Sequence, residues 1–140
     1  MSDPSDSPES GSKERKKVIF FVDDEEDVRG VWSELLRKHD YRVLEAGTAE
    51  EALWFLESFT AHIDILLMDV NLPDGWGASV AQSLRQLHPE MAVVYTTGYA
   101  ATDPILSGAL SDAPFVIPKP STTQEVLRIL EEALAAGPPE

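Results

Sequence analysis

Residues 64–77 read DILLMDVNLPDGWG: four apolar side chains, Ile65 to Met68, run into a carboxylate, Asp69, and then into the turn Pro73-Asp74-Gly75. A short unbroken apolar run closed by turn residues is the pattern of a strand buried on both faces, as at the centre of a parallel sheet. Such a strand can end on an acid to cap its turn, or to hold a carboxylate open at the rim of the fold. The acidic, hydroxyl and basic residues elsewhere in the chain decide between the two.

The same apolar-to-polar step recurs. KVIFFVDD from Lys17, YRVLEA from Tyr41, IDILLM from Ile63, MAVVYT from Met91 and PFVI from Pro114 read as five strands. Helical spacing fills the intervals between them. Val28, Val31, Trp32, Leu35 and Leu36 form one apolar stripe, and Ala52, Leu53, Leu56 and Phe59 a second behind the capping pair Thr48 and Glu51. A third helix, near Gly77 to Leu87, turns Val80, Leu84 and Leu87 inward. Asp103-Pro104 opens a short helix near residues 104–110. Thr122 and Glu125 open the last one, whose inner face is Val126, Ile129, Leu130, Ala133 and Leu134 and which Gly137 ends. Strict strand–helix alternation with short connections predicts an α/β fold: parallel strands, right-handed crossovers and helices on both faces of one sheet.

A chain of 140 residues suits a single domain. It contains no cysteine, which excludes disulfides, thiolate catalysis and zinc-thiolate sites. No apolar run approaches the roughly 20 residues of a membrane span, and the polar N-terminus has no secretory core. A cytoplasmic location is the expectation. Residues 1–16 read as a flexible polar leader, residues 17–136 as the domain and residues 137–140 as a tail. The net charge is −14, yet the four acids and four bases of residues 1–17 cancel, so the whole deficit falls on the domain. That excludes nucleic acid and anionic membrane as partners and suits a divalent cation or a basic protein.

Function in such sheets sits at the carboxyl ends of the strands. There stand Asp23 and Asp24 after the first strand, Asp69 after the third, Thr96 and Thr97 after the fourth and Lys119-Pro120 after the fifth. Each has a structural reading as well: helix-dipole complement for the run Asp23 to Asp27, turn capping for Asp69, a turn hydroxyl for Thr97. Lys119 resists one, because only Lys38 and Lys119 follow Lys17 and this one is wedged between two prolines behind an apolar strand. A partly buried lysine needs an anionic partner, and Asp69 is the candidate. Together the set has the parts for phosphoryl transfer onto a carboxylate: nucleophile, oxygen ligands for a hard cation, an ammonium and a hydroxyl.

In this order the motifs FFVDDEEDVR, LLMDVNLPDGWG, VVYTTGYA and VIPKP resemble the receiver domain of the two-component response-regulator family over about residues 17–136. The resemblance implies a flavodoxin-like (βα)5 domain with strand order 2-1-3-4-5. It implies that Asp69 is the phosphoacceptor, taking a phosphoryl group from a phosphohistidine on a sensor histidine kinase or histidine phosphotransfer protein. Asp24 would ligate Mg2+ (or Mn2+) directly and Asp23 mainly through water, with Asp69 and the backbone carbonyl of Asn71 completing the protein ligands. Thr97 would be the switch hydroxyl, Lys119 the phosphoryl-contacting cation, the Lys119–Pro120 peptide cis, and Asn71 and Tyr99 would tune hydrolysis. The chain would catalyse only its own phosphorylation and dephosphorylation, as part of a bacterial phosphorelay, and the family's dimers form through the last helices and edge strand.

Three positions depart from the family's pattern. Val116 stands where an aromatic switch residue is usual, Phe115 falls one earlier and so on the opposite face of its strand, and Ser121 replaces an aromatic after Pro120. A phosphorylation-independent pseudo-receiver that only binds partners is the alternative reading, disfavoured because every site position is filled. A phosphatase resembling the haloacid-dehalogenase family would need an acid at position 71, which is Asn, and a cap insertion.

Overall fold

Alternating strands and helices close into one α/β layer in the computed structural model, which describes residues 16–98 and 115–138. In chain order the elements are β1 (Lys17–Val22), α1 (Glu26–Lys38), β2 (Tyr41–Ala46), α2 (Ala49–Ser58), β3 (Ile65–Asp69), β4 (Asn71–Leu72), β5 (Gly75–Trp76), α3 (Gly77–Leu87), β6 (Ala92–Thr97), β7 (Val116–Pro118) and α4 (Thr123–Ala136). The main sheet is parallel and ordered β2-β1-β3-β6-β7, the expected 2-1-3-4-5. The helix expected near residues 104–110 and nearly all of the leader lie outside the described residues.

Successive strand residues point to opposite faces, and here both faces are apolar. Phe20, Val22, Leu66, Met68 and Val93 join Ala52, Leu56, Val80 and Leu84 in a core beneath α2 and α3. Ile19, Phe21, Ile65, Leu67, Val94 and Ile117 join Leu36, Val126, Ile129 and Leu130 in a second core beneath α1 and α4. Every residue of β3 is buried, as its unbroken apolar run predicts. Each large side chain so placed stabilises the fold by about 1.5–3 kcal/mol.

Two expected core positions face water instead. Val31 is 64% exposed. α1 packs on the sheet through Leu36 and Ser33, with Trp32 and Leu35 beside them, and Val31 falls on its outer side; Arg29 and Arg37 both reach back to Glu45 on β2. Leu87 is 42% exposed because His88, one residue on, takes the inward place. The His88 ring lies between the Phe59 carbonyl at 2.7 Å and the Glu90 carboxylate at 3.1 Å.

The segment after Asp69 is more than a turn. β4 and β5 pair antiparallel around Pro73-Asp74, and the Asp74 carboxylate accepts from Ala49 N at 2.8 Å and Glu50 N at 3.0 Å. Thr48 Oγ1 accepts from Glu51 N at 3.0 Å. The first three N–H groups of α2, which no helix can satisfy internally, are thus all capped. A Cβ on Gly75 would lie 2.8 Å from Val80 Cγ2, so this hairpin needs glycine where it meets α3.

The hydrogen bonds from Ala49 and Glu50 hold the Asp74 carboxyl below the usual carboxylate range. The folded protein then takes up this proton at lower pH than the unfolded chain. The stabilisation is therefore full above the ordinary Asp value of about 3.9 and is lost as pH falls through the lower folded value. Urea unfolding should show Asp74→Asn losing less stability than wild type between about pH 4 and pH 2. Identical acid limbs would count against the cap.

Candidate functional site

At the carboxyl edge of the sheet β1 leads into Asp23, β3 ends on Asp69, and Lys119 follows β7. Asp23 is fully buried and Asp69 is 7% exposed. Two carboxylates in such a place repel each other and have lost most of their water, so a countercharge is required. Lys119 Nζ supplies it, donating to Asp23 Oδ2 at 3.0 Å, Asp69 Oδ2 at 3.0 Å and Glu25 Oε1 at 3.3 Å. An ammonium has three donors, and all three are matched. Burial alone would lower the Lys119 pKa; hydrogen bonds and charge from Asp23 and Asp69 outweigh it and raise the group above the ordinary lysine value.

The backbone fixes each partner. Asp23 N donates to Ala46 O at 3.1 Å, its Oδ1 accepts from Glu25 N at 2.8 Å, and its carbonyl accepts from Arg29 Nη1 at 2.6 Å. Lys119 N donates to Thr97 O at 2.7 Å, and the Lys119–Pro120 peptide is cis, as expected. Ser121 turns its hydroxyl back onto the Pro118 carbonyl. Thr97 is buried at the end of β6, opposite Pro118 in the register. Val70 N donates to Thr96 O at 3.0 Å, which ties the residue after Asp69 to the same strand end.

Asp24 is exposed, yet it, Asp23 and Asp69 each offer a carboxylate oxygen within 4.8 Å of the others. A set made only of carboxylate oxygens, with no thiolate or imidazole, fits a hard divalent cation such as Mg2+. Asn71 enters the hairpin two residues after Asp69. Its side chain and the whole of Tyr99 lie outside the described residues. Val116 packs against the α2/α3 core and Phe115 against the α1/α4 core, so the two do stand on opposite faces.

One participant was not legible in the sequence. Glu25 reads there as a helix-dipole complement, but it is the N-cap of α1 in an extended conformation and makes no side-chain cap bond. Its carboxylate is free to turn to Lys119. Only the placement of β7 beside β6 brings the lysine within reach.

Removing the ammonium leaves two carboxylates stranded. Lys119→Met should destabilise the fold by about 3 kcal/mol in urea unfolding, and adding Asp69→Asn should recover part of the loss. A change under about 0.5 kcal/mol, the level of an ordinary surface substitution, would contradict this.

Comparison with known proteins agrees with the geometry. The family model for the response regulator receiver domain matches residues 19–131. The sensor kinase CckA of Brucella abortus (strain 2308) is 31% identical over 118 residues, which are 84% of this chain and 12% of that protein. The chain spans less than half the length of such curated relatives, 45% in the case of the transcriptional regulatory protein CpxR of Escherichia coli (strain K12). Among solved structures, the CheY-like receiver domain protein of Methanospirillum hungatei JF-1 superposes with a TM-score of 0.73 at 28% identity, covering 86% of this chain and 95% of that one. The response regulator TrrA of Thermotoga maritima, solved in complex with Mg(2+)-BeF, gives 0.68 at 25% identity over 84% of this chain and 98% of its own. The chain belongs to the response regulator receiver domain family.

Proposed function

We propose that this domain acts in the cytoplasm, where Asp69 accepts a phosphoryl group from a phosphohistidine on a sensor histidine kinase or a histidine phosphotransfer protein in a Mg2+-dependent reaction. The observation that carries this reading is the Lys119 ammonium 3.0 Å from both Asp69 and Asp23. Asp69 lies at the end of a rigid buried strand, so its carboxylate is held in place for attack. One carboxylate oxygen bonds to phosphorus while the phosphorus–nitrogen bond breaks, and the electron pair leaves with the donor imidazole. The charge moving onto the phosphoryl oxygens needs cations already in position. Lys119 provides one at a fixed distance, and the Thr97 hydroxyl is a donor for another oxygen.

Asp23, Asp24 and Asp69, with the Asn71 carbonyl, would hold Mg2+, whose role when bound is to neutralise phosphoryl charge. The Mg(2+)-BeF complex of TrrA supports that assignment by analogy. On this reading the domain turns over no separate substrate: it catalyses its own phosphorylation and dephosphorylation and signals through protein contacts.

Incubation with acetyl phosphate and Mg2+ should give an acid-stable, base-labile label that chelation prevents and Asp69→Asn abolishes. If the wild type stays unlabelled with both acetyl phosphate and a phosphorylated histidine donor, the phosphoacceptor reading fails and the domain works by binding alone.

A further inference from the structure

The groove between α2 and α3 takes no part in the acidic pocket. It is open, about 520 Å3 in volume, and its apolar lining includes Leu53, Trp54 and Val80. Trp54 stands 71% exposed. A tryptophan left in water to that extent forgoes one of the largest apolar burials any side chain can make, and tryptophan is the residue most enriched at binding hot spots. Around it lie Glu50, Glu57 and Asp74. Glu50 and Glu57 make no ion pair among the described residues. The sequence has no Lys or Arg between Arg42 and Arg85, so α2 and the β4–β5 hairpin carry acids with no base among them, and α3 adds neither charge until Arg85.

We infer that this groove docks a segment of a partner protein in which an apolar anchor is flanked by lysine or arginine. The anchor would cover Trp54 and Leu53, and the cations would meet Glu50 and Glu57 and lie against the indole face. Charge selects this occupant over the others. A second copy of the chain would bring a net charge of −14 and the same acidic rim to the contact. Nucleic acid and anionic lipid are repelled for the same reason. The groove is a binding surface in its own right, and its occupancy needs no phosphoryl group on Asp69.

The test titrates the full chain, 15N-labelled, with a helical peptide of leucine and lysine, and with a control peptide carrying glutamate for each lysine. The amide shifts should concentrate at Leu53, Trp54, Glu57, Ser79 and Ser83, and the control peptide should not bind. Trp54→Ala should weaken the peptide about tenfold or more. Glu50→Lys with Glu57→Lys should do likewise, and Val31→Ala, at the exposed apolar side chain of α1, should leave the affinity unchanged. Because Trp54 is exposed, Trp54→Ala should keep the wild-type circular dichroism and the wild-type rate of Asp69 labelling. Shifts spread over the whole acidic surface, or an affinity indifferent to Trp54→Ala, would overturn the inference. So would concentration-dependent dimerisation that Trp54→Ala abolishes, which would make a second copy the occupant, or binding of phosphatidylserine vesicles through the groove.

Discussion

The contact on which the site depends is a single ammonium held between two carboxylates. Asp23 and Asp69 come from strands that pair directly, so burial of the sheet forces their side chains together at its edge. Without a cation that arrangement would be unfavourable by several kcal/mol. Lys119 removes the difficulty only because β7 lies beside β6 and the chain turns immediately after it. The pocket is thus assembled from three stretches, with Asp69 and Asp23 lying 50 and 96 positions before Lys119 in sequence. The same contact leaves Asp69 held rigidly beside a positive charge, which is what a phosphoryl acceptor needs.

The surrounding structure keeps that edge in place from several directions. Arg29 ties α1 to the Asp23 carbonyl and to Glu45. The hairpin after Asp69 is anchored by Asp74 on the start of α2, so the chain leaves the pocket along a fixed route. At the opposite edge of the sheet, Glu90 accepts from Ile63 N at 3.1 Å and meets His88, which braces the segment leading into β3. The strand that presents Asp69 is therefore held at both ends as well as through its core.

Most of this was legible in the sequence because it rests on local chemistry. The buried run Ile65 to Met68, the caps Thr48 and Thr122 and the strand-end residues Asp23, Asp69 and Lys119 each declare themselves by residue type and neighbours. What was not legible depends on how elements turn and meet. The periodicity of α1 cannot reveal that the helix packs through Trp32, Ser33, Leu35 and Leu36 and leaves Val31 in water. The same holds for α3, where a histidine with two acceptors waiting for it displaces Leu87 from the inner face. Glu25 reads as a helix-start acid until β7 brings Lys119 to it. The role of Asp74 as a cap on a helix 24 and 25 residues earlier is likewise a product of tertiary structure.

The most direct test of this picture is the titration of Lys119 itself. In metal-free protein, the 13Cε resonance of Lys119, assigned by its loss in Lys119→Met, would be followed by NMR as pH is raised. If Asp23 and Asp69 hold the ammonium as described, the resonance stays at its protonated position through the ordinary lysine range near about 10.4. A midpoint at or below that value would mean that burial outweighs the two carboxylates, and the pocket would not be organised around this lysine.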